Sequence, residues 1–211
     1  MNIIYILKIG SGFTERHCNM LKHVSNERKD KINGYRSDKD KLGCLYSELL
    51  VRRFGSELIN VSPDQLSFGC GANGKPFVLG VPNFHYNVTN TDGYVVLAVC
   101  EEPVGVDAER VRALRPKVMA RCFTEREQEY AKQGNERFFE VWTKKEAYVK
   151  CKGKGLFSAP LNSFDVLDDK IGNGYTVLKT KELVVSAYTE TEGISFTVKK
   201  IYENDILEYF E

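Results

Sequence analysis

Histidine is scarce in this sequence, with three residues in 211, and no two of the six cysteines form a Cys-x-x-Cys pair. Cys18, Cys44, Cys70, Cys100, Cys122 and Cys151 are scattered, and only His17, His23 and His85 can join them, which argues against a structural zinc site. There is no Gly-x-Ser-x-Gly elbow, and so few histidines give little support to a Ser-His-Asp arrangement. No apolar run approaches the roughly 20 residues of a membrane helix, and the N-terminal segment lacks the charged and apolar regions of a signal peptide. We therefore expect no membrane association, a cytoplasmic location and cysteines that are reduced and packed. A net charge of +1 lacks the basic bias of a sequence-independent nucleic-acid binder, although local basic patches remain compatible with it.

What the sequence does hold is an ordinary globular balance, 42% hydrophobic and 28% charged, in a length that suits one large core or two small ones. Two runs in its second half carry the chemistry. In Val104-Gly105-Val106-Asp107-Ala108-Glu109 apolar residues alternate with the rest, which predicts a strand with Asp107 and Glu109 on one face. Residues two apart on a strand lie roughly 6.6 Å apart, within reach of one hard cation through oxygen. Further on, Phe138, Val141, Trp142, Tyr148 and Val149 recur at helical spacing, with Glu146 and Lys150 one turn apart on a neighbouring stripe. Each run alone also has an ordinary reading, as a solvated strand face and as a surface pair worth about 0.3–0.5 kcal/mol.

Together, Gly105-Val106-Asp107-Ala108-Glu109 and Trp142-Thr143-Lys144-Lys145-Glu146-Ala147-Tyr148-Val149-Lys150, followed by Gly153-Lys154-Gly155-Leu156, resemble the two-part signature of the 4′-phosphopantetheinyl transferases. The likeness covers most of the chain and is to the larger, monomeric branch exemplified by the surfactin synthetase activator. The shorter holo-acyl-carrier-protein synthases, which assemble as trimers, match less well. The resemblance implies transfer of phosphopantetheine from coenzyme A to a serine of an acyl or peptidyl carrier protein, with release of adenosine 3′,5′-bisphosphate. It implies Mg2+ held by Asp107, Glu109 and Glu146 with a pyrophosphate oxygen. Asp107, Glu146 and Lys150 become the catalytic set, with Glu146 a metal ligand that can also take the serine proton, and Lys150 a stabiliser of charge on the pyrophosphate.

Coenzyme contacts follow from the same resemblance at Arg28, Lys31, Lys75, Pro76, Thr89, Asn90, Lys145 and Lys150. Arg28 and Lys31 read equally well as part of a solvated, mixed-charge helix. Gly69-Cys70-Gly71-Ala72-Asn73-Gly74-Lys75 imitates a phosphate-binding P-loop as far as its lysine, but Pro76 replaces the metal-binding hydroxyl, and residues 66–68 and 76–79 predict a hairpin. In the resembled family such a lysine faces the coenzyme's phosphate; by itself Lys75 is an exposed residue after a turn glycine. Two departures stand out. Thr89-Asn90-Thr91 lacks the histidine that the family directs at the 3′-phosphate, and Gly43 stands where relatives often carry an arginine, with Lys41 as a possible substitute.

The resemblance implies an α+β (α/β) fold of two similar halves related by a pseudo-twofold axis, with the active site at their junction. Glu101-Glu102-Pro103 breaks the pattern and divides the chain into 1–103, assigned to coenzyme binding, and 104–211, carrying the metal and catalytic motifs. Residues 3–7, 84–89 and 94–100 predict strands, and Ser37-Asp38 opens a helix with Leu42, Leu45, Tyr46, Leu49 and Leu50 on its apolar face. In the second half Pro116 opens a helix and Thr124-Glu125-Arg126-Glu127 is a capping box. Residues 164–166, 175–178, 183–188 and 194–201 then carry strand-type side chains. A basic and apolar patch of Arg112, Arg115, Lys117, Met119 and Arg121 suits an acidic carrier, or is a plain solvated face. Two other activities use the same residues: a magnesium-dependent nucleotide pyrophosphate hydrolase, and a non-catalytic protein that binds coenzyme A or a carrier.

Overall fold

The computed structural model describes residues 2–71, 73–153 and 160–211. In chain order its elements are β1 (Ile3–Lys8), α1 (Glu15–Met20), α2 (Asn26–Gly34) and α3 (Asp38–Leu50), which widens into a π turn at Val51–Gly55 and ends as α4 (Ser56–Leu58). There follow β2 (Phe68–Cys70), β3 (Pro76–Val78), β4 (His85–Thr91), β5 (Tyr94–Cys100) and β6 (Val104–Arg110). The remainder comprises α5 (Pro116–Cys122), α6 (Glu125–Ala131), α7 (Asn135–Lys152), α8 (Asp169–Gly172), β7 (Tyr175–Lys179), β8 (Leu183–Thr189), β9 (Thr197–Tyr202) and α9 (Glu203–Phe210). The fold class is α+β, with strand pairs that are mostly antiparallel.

Among the described residues the strands form a four-stranded sheet ordered β4-β5-β1-β9, a three-stranded sheet ordered β6-β8-β7, and the separate β2-β3 hairpin. Strand alternation builds the layers. On β5, Val95, Leu97 and Val99 face a core shared with Leu42, Leu45 and Leu49 of α3. Its other face, Val96, Ala98 and Cys100, meets Val104, Val106 and Ala108 of β6 and Val185 and Ala187 of β8. The two sheets therefore pack face to face through a thin apolar layer, and the opposite face of the second sheet is left for α7. Helix α7 buries a broad face, from Phe138 and Phe139 in its first half to Ala147 and Cys151 near its end, while residues 135–137 and Lys152 are exposed.

Gly105 sets how close α7 comes. A Cβ at this position would lie 2.0 Å from the Ala147 carbonyl oxygen and 2.4 Å from the Cys151 nitrogen, so helix backbone rests directly on strand backbone. Only glycine permits that approach. Because Gly105, Asp107 and Glu109 share a face, the same contact brings Glu146 and Lys150, one residue before and three after Ala147, alongside the acidic pair.

The C-terminal segment returns to the sheet of the first half: β9 pairs in parallel with β1, Ile3 opposite Thr197 and Leu7 opposite Ile201. Ile206, Leu207 and Phe210 of α9 then complete the core of the first half. The strand expected at 194–201 is thus real, but its partner is remote in sequence, which local pattern cannot reveal. Residues 164–166 form no strand, because their surroundings use their backbone differently: Phe164 O accepts from Lys145, and Val166 N donates to Glu127. The hairpin predicted in place of a P-loop is present, with Phe68 opposite Val78. Lys154, Gly155 and Leu156 of the second motif lie outside the described residues.

Substituting Gly105→Ala should force strand and helix apart and lower stability by at least about 1–3 kcal/mol, read as a lower urea midpoint with an unchanged slope.

Candidate active site

Asp107 and Glu109 leave β6 on the face covered by α7, paired across β8 with Ser186 and Val184. Thr143 of α7 is fully buried, donates back to Phe139 O (2.9 Å), and shares a hydrogen bond with Ser186 (2.7 Å), which fixes the rotation of the helix over the sheet. One turn later Glu146 is buried, and Lys150 reaches over β6 to donate to Asp107 Oδ1 (2.6 Å), Thr89 Oγ1 (3.2 Å) and Val106 O (3.2 Å).

Strand β4 supplies the other wall. Alternate residues Asn87, Thr89 and Thr91 face β6: Asn87 Oδ1 accepts from Val106 N (2.8 Å), Thr89 donates to Asp107 Oδ1 (3.0 Å), and Thr91 donates to Glu109 Oε2 (3.4 Å). Glu109 also pairs with Arg112 (2.9 Å). Burial raises the Glu146 carboxyl most, repulsion from Asp107 adds to it, Lys150 pulls it down and Glu109 pushes it further, to about 7. Burial also raises Glu109 in spite of Arg112. Asp107, Glu109 and Glu146 are the oxygen donors a hard divalent cation would use, and their mutual repulsion is the strain such a cation relieves. As placed, no group of three or more His, Cys, Asp or Glu side chains among the described residues stands ready to hold a metal. Protein cations already contact Asp107 and Glu109 instead.

Next to this acidic corner, a cavity of about 500 Å³ opens between α2, α3 and strands β2 to β4. Arg28, Lys31, Pro76 and Asn90 line it, together with Glu48 and Tyr86. Glu48 is buried and organises the basic wall, accepting from Ser25 N (2.7 Å), Ser25 Oγ (2.9 Å), Arg28 Nε (3.2 Å) and Arg52 Nε (2.9 Å). Sequence reading missed it because a glutamate on an amphipathic helix carries no mark of burial. The polar alternation of Asn87, Thr89 and Thr91 was visible, but not what it faced.

Comparison with known proteins now bears on this arrangement. The family model described as the 4′-phosphopantetheinyl transferase superfamily matches residues 103–199, and the one described as 4′-phosphopantetheinyl transferase, N-terminal, matches residues 12–102. A 4′-phosphopantetheinyl transferase of Bacillus subtilis is 30% identical over 152 residues, 70% of this chain and 67% of that protein. The chain belongs to the 4′-phosphopantetheinyl transferase superfamily. The 4′-phosphopantetheinyl transferase gsp of Aneurinibacillus migulanus is 35% identical over 147 residues, 67% of this chain and 61% of the relative. The L-aminoadipate-semialdehyde dehydrogenase-phosphopantetheinyl transferase of Mus musculus is 28% identical over 206 residues, 87% of this chain and 65% of the relative. The matches thus span only about two thirds of the curated relatives' lengths.

Several positions carried over from the transferases are placed differently from expectation. Lys75 does not line the cavity with Arg28. Its ammonium donates to Val104 O (2.9 Å) and Cys151 O (3.1 Å), tying the β2-β3 hairpin to the end of α7, and burial lowers its pKa. Lys145 points away from the cleft: fully buried, it pairs with Glu127 (2.8 Å) and donates to Leu161 O and Phe164 O (2.7 Å each). Glu127 is the capping-box acid of α6, so one carboxylate caps a helix through Thr124 N (2.7 Å) and neutralises a buried lysine. Met119 is buried in the second half's core, which removes it from any docking patch, whereas Arg112, Arg115, Lys117 and Arg121 are exposed. Lys41 lies over the Phe13 ring (5.7 Å).

The two positions that depart from the transferase pattern lie against each other. A Cβ on Gly43 would stand 3.1 Å from both Cγ and Oδ1 of Asn90, so these residues touch across α3 and β4 at the cavity wall. An arginine at 43 would have to share the space Asn90 occupies.

Two measurements check this geometry. Lys145→Ala strands Glu127 in the core and should cost about 3–5 kcal/mol by denaturant unfolding, with coenzyme A affinity of the folded fraction unchanged by calorimetry. Glu146 holds its proton to about pH 7 when folded and to 4.5 when unfolded, so between those values the folded state binds more protons and stability falls as pH rises. In chelator, wild type should lose roughly 3 kcal/mol relative to Glu146→Gln on going from about pH 5 to about pH 8.

Proposed function

We propose that this protein transfers 4′-phosphopantetheine from coenzyme A to a serine of an acyl or peptidyl carrier protein, with magnesium, releasing adenosine 3′,5′-bisphosphate. One observation carries the reading: Asp107, Glu109, Glu146 and Lys150, all from the family's two motifs, converge on one corner where α7 lies on β6. All of them come from one chain, so a monomer suffices.

In the step itself, the carrier serine Oγ bonds to the phosphorus bearing the pantetheine, and the bond from that phosphorus to the bridging oxygen breaks. The serine proton passes to Glu146, and the electron pair leaves on adenosine bisphosphate. Magnesium held by Asp107, Glu109 and Glu146 would supply charge neutralisation on the pyrophosphate. Lys150 stabilises charge developing on the leaving oxygen. Arg28, braced by Glu48, and Lys31 hold the coenzyme's phosphate end in the adjoining cavity, where Asn90 packs against Gly43. The exposed Arg112, Arg115, Lys117 and Arg121 offer an acidic carrier its landing surface.

Incubation with coenzyme A, magnesium and apo-carriers from fatty-acid, polyketide and nonribosomal-peptide synthesis should add one phosphopantetheine mass to the serine of at least one of them. Asp107→Ala and Glu146→Gln should each lower that rate at least about a hundredfold, with the fold kept by circular dichroism. Adenosine bisphosphate released without any carrier would favour a pyrophosphate hydrolase, and tight coenzyme binding with no product of either kind would favour a binding protein.

A further inference from the structure

The geometry points to Lys150 as a displaceable internal cation at Asp107, so that a divalent cation and the anionic pyrophosphate of the donor bind with positive coupling. This rests on the transferase reading above. The Lys150 ammonium donates to three oxygens, Asp107 Oδ1, Thr89 Oγ1 and Val106 O, the same kind of hard oxygen cradle that a metal ion takes. A second cation on the Asp107 carboxylate would meet an ammonium already 2.6 Å from its oxygen, and the two charges repel.

What distinguishes Lys150 from Lys145 of the same motif is its freedom to leave. Lys145 is sealed, its side chain 0% exposed and its partner Glu127 likewise. Lys150 is 29% exposed and reaches Asp107 from the rim of the corner. A polyphosphate anion arriving there offers the ammonium stronger acceptors than one carboxylate shared with Thr89. As Lys150 turns to the anion, Asp107 becomes available to the metal. By linkage, a bound metal must raise affinity for the anion by the same factor. Lys150 is thereby a positioning residue for the metal as well as a contact to the donor.

Mn2+ binding, read by the loss of its free electron paramagnetic signal, tests this without turnover. The samples are the full chain, Lys150→Met, Lys150→Gln and Lys150→Met/Asp107→Ala, each with and without coenzyme A and each checked for fold by circular dichroism. Wild type should bind Mn2+ weakly alone and about ten- to a hundredfold more tightly with coenzyme A. Lys150→Met and Lys150→Gln should bind Mn2+ more tightly than wild type without coenzyme, show a smaller further gain with it, and lose binding when Asp107 is also replaced. If the Lys150 variants bind Mn2+ no better than wild type while Asp107 is still required, the displacement is overturned and the metal reading stands. If no variant binds Mn2+ with or without coenzyme A, both are overturned.

Discussion

The contact of α7 backbone on β6 backbone, made possible by the missing side chain at Gly105, is the constraint on which the rest of the site depends. It sets the distance between strand and helix, and with Thr143 on Ser186 it sets the helix's rotation. Once both are fixed, residues at positions two and four beyond Gly105 must face residues one before and three after Ala147. The acidic corner is therefore a consequence of packing, and the glycine ahead of Asp107 is as much part of the site as the carboxylates.

That packing has an electrostatic cost, and the surrounding residues show how it is met. Three carboxylates are drawn together in a partly desolvated place, so Glu146 holds its proton more tightly while Lys150 and Arg112 pair with the other two. Two neighbouring lysines of one helix are used in opposite ways. Lys145 faces inward and is locked by Glu127 and by the carbonyl groups of Leu161 and Phe164, which ties α7 to residues 161–164. Lys150 faces the cleft edge and remains partly solvated. The same residue type is sealed in one case and partly solvated in the other, and the two differ in burial and in partners.

The first half contributes a wall and a cavity. Strand β4 turns Asn87, Thr89 and Thr91 toward β6 and Tyr86, Val88 and Asn90 toward the cavity, so a single strand serves both parts of the site by alternation alone. Glu48 and Arg52 brace Arg28 from behind. The return of β9 and α9 to the first sheet binds the chain's end to its beginning, so the two halves are stitched at the sheet junction and again at the C-terminus.

Local pattern was enough to determine the strand at Asp107, the helix at Glu146, the capping box at Thr124, the hairpin in place of a P-loop and the family, because each is encoded within a few adjacent residues. Tertiary structure alone decided that Lys145 and Lys75 turn inward, that Glu48 holds Arg28, that Gly43 packs against Asn90, and that β9 joins β1. The reason is physical: a side chain's partner and its burial depend on what the fold brings against it from distant parts of the chain, and one-dimensional periodicity carries no information about that.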